Sequence, residues 1–163
     1  MSERIRLGID VRAALRGPCG IARYSLELAR ALLAADERVD LLLYAATRDG
    51  PAAAARLPAD LCTHPRARVF GARLPAKVLN ALARLPGLGP ERFAGALDVF
   101  HHTDLVYVKG WRCPEVVTVH DLGHLRAGHV STLRRIVAKR WIHHAVGRAS
   151  RVAVGSNFTR RTV

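Results

Sequence analysis

Val116-Val-Thr-Val-His-Asp-Leu122 reads as the end of a buried strand, an apolar and β-branched run that passes directly into a histidine and an aspartate. An open α/β sheet binds its ligands beyond the carboxyl ends of its strands, so His120 and Asp121 stand where such a sheet places its chemistry. Strand-like runs recur along the chain at Ile5 to Val11, Val39 to Ala45, Arg68 to Phe70, Leu97 to His101, Val116 to His120 and Arg151 to Val154. Helical patterns fill the intervals, and this alternation predicts an α/β, doubly wound parallel sheet covered on both faces. Between the first two runs lie a loop, Gly17-Pro-Cys-Gly20, and a helix over Ile21 to Ala35. Its apolar stripe, Ile21, Tyr24, Leu28, Leu32 and Ala35, faces away from Arg23, Glu27 and Arg30.

At 163 residues, 50% of them hydrophobic, the chain holds one domain with its own core. Its formal charge of +13 favours anionic partners such as phospholipid surfaces or phosphorylated substrates. All but Lys77, Lys109 and Lys139 of the 26 basic residues are arginine. Nucleic acid is disfavoured, because aromatic residues make up only 6% of the chain and do not interleave with the basic ones to form a stacking platform. Cys19, Cys62 and Cys113 are odd in number and far apart, which suits a reducing cytoplasm and neither a disulfide framework nor a thiolate metal site. Met-Ser-Glu-Arg-Ile-Arg lacks the apolar core of a signal peptide, and no apolar run approaches the roughly 20 residues that span a bilayer. Membrane contact is therefore expected to be peripheral, on the inner face.

The middle of the chain is punctuated by Pro51, Pro58, Pro65, Pro75, Pro86 and Pro90, with a short amphipathic helix expected over Leu74 to Leu85 and a basic stretch from Arg66 to Arg92. A longer helix is expected from Thr132 to about Val146, with Leu133, Val137, Trp141 and Ala145 on one face and Arg135, Lys139 and His143 on another. No acidic residue follows Asp121. The final segment reads as a strand, a turn, an N-cap at Ser156 or Asn157 and the first turns of a helix. Ending there without a glycine cap or proline, it suggests a C-terminally truncated domain.

The Gly17–Gly20 loop precedes a helix N-terminus, where backbone N–H groups and the helix dipole favour an anion. It matches neither the dinucleotide Gly-x-Gly-x-x-Gly fingerprint nor the P-loop lysine pattern. His101, His102, Thr103 and Asp104 end one strand-like run and His120-Asp121 another, so two polar clusters fall on one sheet edge. A histidine there can serve a sugar hydroxyl or a phosphate oxygen. A metal centre built from His101, His102, His120, Asp121, His124 and His129, as in a metal-dependent hydrolase, is the alternative chemistry. Loop-forming Gly123 and the absence of a His-Glu-x-x-His pattern weigh against it. A non-catalytic basic module for anionic membrane or nucleic acid is a further alternative.

Ile9-Asp-Val-Arg12, Gly20-Ile-Ala-Arg-Tyr24, Asp98-Val-Phe-His-His-Thr103, Val116 to Leu122 and Val152-Ala-Val-Gly-Ser-Asn-Phe-Thr-Arg-Arg161 occur in the order seen in group 4 glycosyltransferases. The chain resembles the N-terminal, acceptor-binding Rossmann-like half of such an enzyme, over residues 1–163. The resemblance implies a GT-B fold, with a donor-holding C-terminal domain missing from this chain. It also implies metal-independent, retaining transfer of a hexose from a UDP- or GDP-sugar to a glycolipid or polysaccharide acceptor, with no cofactor. It makes His120 the active-site histidine and places Gly20 near the diphosphate, followed by Arg23 and Tyr24. His101, Thr103 and Asp121 would line the cleft, and Ser156 joins the substrate-binding set. Two departures are a short loop between Arg12 and Gly20, and Gly155 ahead of Ser156 where the family more often has serine directly after the strand.

Overall fold

The computed structural model describes residues 3–47, 52, 55–70, 78, 91–104, 112–122 and 132–162. Six strands, β1 (Ile5–Asp10), β2 (Val39–Tyr44), β3 (Ala67–Phe70), β4 (Val99–His102), β5 (Glu115–Val119) and β6 (Arg151–Val154), form one sheet in the order β3-β2-β1-β4-β5-β6. Every pairing is parallel, with Ile9 held between Leu43 and His101 and Thr118 opposite Ala153. The helices are α1 (Gly20–Ala35), α2 (Ala59–Cys62), α3 (Glu91–Ala94), α4 (Thr132–Arg148) and α5 (Asn157–Thr162). The chain is thus an α/β Rossmann-like domain, as its pattern of strands and helices predicts.

Because successive strand residues point to opposite faces, Leu41 and Leu43 join Ile9, Val11, Ala29 and Leu33 in the layer under α1. Leu42 and Tyr44 instead pack with Leu97 and Phe100 on the other side. A third cluster, Val117, Val119 and Ala145, seats α4. Gly8 is required where β1 passes β4, since a Cβ there would lie 2.5 Å from Phe100 Cδ2 and 2.6 Å from Leu97 Cδ1.

Three sequence expectations need correction. The buried face of α1 is Ala22, Ser25, Ala29 and Leu33, while Ile21, Tyr24, Leu28 and Leu32 flank it and Ala35 is exposed. Small side chains let the helix settle close to the sheet, and the larger ones then close the seam from the sides. β4 starts at Val99 instead of Leu97, because Asp98 turns its carboxylate onto the Arg6 backbone N–H at 2.7 Å. α4 runs on to Arg148, burying Ala145 and exposing Lys139 and His143 as expected, and it also buries Ile142, which the expected apolar face did not include. Apart from Val78, the helix expected over Leu74 to Leu85 lies outside the described residues.

Candidate functional site

From β1 the chain builds outward through β2 to β3, then returns to place β4 on β1's other side. The strand order therefore reverses between β1 and β4, and the crevice at such a switch point is the usual ligand position. Its floor is a buried ion pair. Arg12 donates Nη2 to Asp10 Oδ2 at 2.6 Å and Nε to Oδ1 at 2.9 Å, and its backbone N–H also binds Oδ1. Burial works against the Arg12 charge, but the Asp10 carboxylate outweighs it and holds the guanidinium pKa above its ordinary value. The guanidinium lies 5.4 Å from the centre of the Tyr44 ring, a cation–π contact. Across the crevice, the Thr103 hydroxyl donates to the Asp10 carbonyl, and Arg16 pairs with Asp104 at 3.0 Å.

On the α1 face of the sheet four polar side chains meet. Thr118 Oγ1 lies 2.8 Å from His101 Nε2 and 3.0 Å from the Tyr24 hydroxyl. The Tyr24 ring stands edge-on to His120, with centroids 4.9 Å apart and planes at 87°. His120 Nε2 is 2.8 Å from the Thr103 carbonyl oxygen. Burial, reinforced by His102 and His120, pushes the His101 pKa down to about 4, so its ring is neutral at physiological pH. On the opposite face, fully buried His102 bonds Glu115 at 2.7 Å, and Arg148 approaches the same carboxylate at 3.8 Å.

The loop after β1 needs glycine at Gly17, whose φ is +128°. Cys19 is the N-cap of α1, its Sγ accepting from the Ala22 N–H at 3.4 Å. Gly20 is the first helical residue, and nothing lies within 4 Å of where a Cβ would stand. Beside it opens a cleft of about 810 Å³ whose walls include Leu15, Pro18, Gly20, Arg23, Leu26 and Arg56. Among the described residues no group of three or more His, Cys, Asp or Glu is arranged to hold a metal. His124 and His129 lie outside the described residues.

The family model of Glycosyltransferase Family 4 matches residues 18–163, from the glycine loop to the last residue. The chain belongs to this family. Its function is accordingly of the glycosyltransferase type. The curated proteins and the solved structures compared with the chain gave no match.

Within this family 4 domain the expected site residues fall into three places. His101, Thr103, Tyr24 and His120 come together at the ends of β4 and β5. Thr103 is fully buried with its hydroxyl committed to Asp10, so it supports the cleft from beneath and does not line it as expected. Gly20 and Arg23 sit at the start of α1, beside the open cleft. Asp121 is exposed next to His120, and Ser156 caps α5 by accepting the Thr159 N–H at 3.1 Å. Two elements of the site were missed by reading the sequence. Thr118 shares a strand face with His120, which its position two residues earlier would have shown. The Asp10–Arg12 pair carried a weaker signal, because a carboxylate and a guanidinium two residues apart ordinarily face solvent.

Proposed function

We propose that this domain is the acceptor-binding half of a retaining, GT-B hexosyltransferase. In this reading a second Rossmann-like domain holds a UDP- or GDP-sugar against the edge that carries His120 and Gly20. Transfer breaks the bond between the anomeric carbon and the diphosphate oxygen and makes one to an acceptor hydroxyl oxygen, whose proton passes to the nucleoside diphosphate as that leaves. The start of α1 suits the charge developing on the diphosphate, through its dipole and Arg23, and the reaction is expected to need no metal. His120 would meet the transferred sugar from the β5 end. The acceptor, a glycolipid or polysaccharide, would approach along the same edge.

The observation that carries this reading is the placement of His120 beside the β1–β4 switch point, on the same sheet edge as the opening of α1. An enzyme in which this domain is joined to its donor-binding half should move labelled hexose from a UDP- or GDP-sugar onto a lipid or glycan extract. Failure to transfer from every UDP- and GDP-hexose tried would overturn the proposal.

A further inference from the structure

His120 makes one hydrogen bond among the described residues, from Nε2 to the Thr103 carbonyl oxygen at 2.8 Å. A carbonyl oxygen can only accept, so Nε2 carries the proton, and in the neutral ring Nδ1 bears the lone pair. One ring edge is thereby fixed, and the Tyr24 ring fixes the tilt by standing at 87° to it. Tyr24 is itself tied down, because its hydroxyl is 3.0 Å from Thr118 Oγ1 on the buried part of β5, and Thr118 is held in turn by His101. Its place in α1 supplies the other anchor, with Ala22 and Ser25 buried on either side of it. The geometry points to Tyr24 and Thr118 as positioning residues for His120, holding it as an Nε2–H donor to the protein so that Nδ1 is the atom left to accept a hydrogen bond from a substrate hydroxyl. This rests on the proposed transferase reading only for the identity of the substrate. The network itself belongs to the domain without any ligand.

Its consequence is a changed role for two residues expected to bind substrate. Tyr24 spends its hydroxyl on Thr118, and His101 spends Nε2 on the same oxygen, so both serve the reacting edge through His120. The hydroxyl of Thr118 has one proton and two lone pairs, enough to bridge both neighbours as long as at least one of them donates.

The test is nitrogen-15 NMR of the histidine-labelled chain at a pH where the rings are neutral, with His120 assigned from its loss in His120→Gln. A ring N–H bonded to a carbonyl and shielded by an aromatic neighbour exchanges slowly enough to give its own proton line, whereas a loose ring does not. The His120 Nε2–H line should be present in the native chain and in Thr118→Ser, which keeps the hydroxyl, and weakened in Tyr24→Phe, which keeps the ring but loses its tie to Thr118. It should be lost in Tyr24→Leu and weakened in Thr118→Val, with the amide spectrum confirming that each variant is folded. If Tyr24→Leu does not fold, Thr118→Val against Thr118→Ser decides alone. Protonation of His120 at Nδ1 in the native chain, or an undiminished line in folded Tyr24→Leu or Thr118→Val, would overturn the inference. Hexose transfer by the enzyme that includes the donor-binding half is a separate measurement, and its failure would count against the transferase reading while leaving the network intact.

Discussion

His101 and His120 lie on the same face of neighbouring strands, yet their surroundings give them different work. His101 is largely buried, with His102 and His120 beside it, and its pKa is pushed down to about 4 from an ordinary 6.5. Above 6.5 the ring is neutral in both folded and unfolded chains and adds no pH dependence. As pH falls from 6.5 toward 4 the unfolded chain takes up a proton that the folded one refuses, so stability drops by on the order of 1 kcal/mol per pH unit, then levels off. Denaturant titrations at several pH values across that window should show a steeper fall for the native chain than for His101→Gln. Parallel slopes would exclude His101 as the source. His120 is only half-buried and keeps one hydrogen bond to the main chain. In the complete transferase, His120→Ala is expected to lower kcat at least about tenfold, roughly 1.4 kcal/mol of transition-state stabilisation. The cost in stability should stay near that of one hydrogen bond, about 1 kcal/mol. Measuring Tm and kcat on the same preparation separates these, and unchanged kcat would remove His120 from the chemistry.

At the scale of elements, the strands were legible because a buried parallel strand is short, apolar and bounded by polar residues, and all six appear within two residues of where the pattern puts them. Which face of α1 is buried was less legible. Periodicity finds a stripe of large apolar side chains, but contact distance is set by the small ones, Ala22, Ser25 and Ala29, and no scale of hydrophobicity favours a serine. The site shows the same division. His120 was readable as a strand end, while its dependence on Tyr24, nearly a hundred residues away, exists only once α1 lies on the sheet. Two substitutions test the local physics. Thiol sulfur is a weak acceptor, and the Cys19 cap bond is long, so Cys19→Ser should strengthen the start of α1 by roughly 0.5–1 kcal/mol, seen as a rise in Tm. A fall would show that the thiol packs better than it caps. Gly8→Ala should cost about 1–3 kcal/mol, because the new methyl must displace Phe100 and Leu97 within a packed layer. An unmoved Tm would mean that those side chains give way freely.

Across the whole molecule the charge is unevenly spent. All 13 acidic residues lie at or before Asp121, and most of those described are already engaged by arginine: Asp10 by Arg12, Asp36 by Arg38, Asp40 by Arg4, Asp60 by Arg30, Asp98 by Arg6 and Asp104 by Arg16. Two arginines of the basic middle stretch, Arg66 and Arg68, are tied inward as well. Arg66 donates to the carbonyls of Leu33, Asp36 and Val39, and Arg68 to that of Ala94. The last quarter of the chain, after Asp121, has no acidic side chain and exposes Lys139, Arg140, Arg148, Arg151, Arg160 and Arg161, with Ile136 and Phe158 exposed among them. Among the described residues no helix is long and apolar enough to cross a membrane. If the proposed acceptor is a lipid, attraction to an anionic bilayer should therefore come from this last quarter and not from Arg66 or Arg68. The protein is expected to adsorb to vesicles containing anionic lipid, weakly or not at all to neutral ones, and to be released by salt. Each basic residue near the surface is worth up to about 1 kcal/mol. Lys139→Gln with Arg140→Gln should weaken adsorption, whereas Arg66→Gln should cost stability and leave adsorption alone, because its hydrogen bonds are internal. Equal adsorption to neutral and anionic vesicles would overturn the electrostatic account. Loss through Arg66→Gln with no loss through the α4 pair would instead relocate the contact to the middle of the chain.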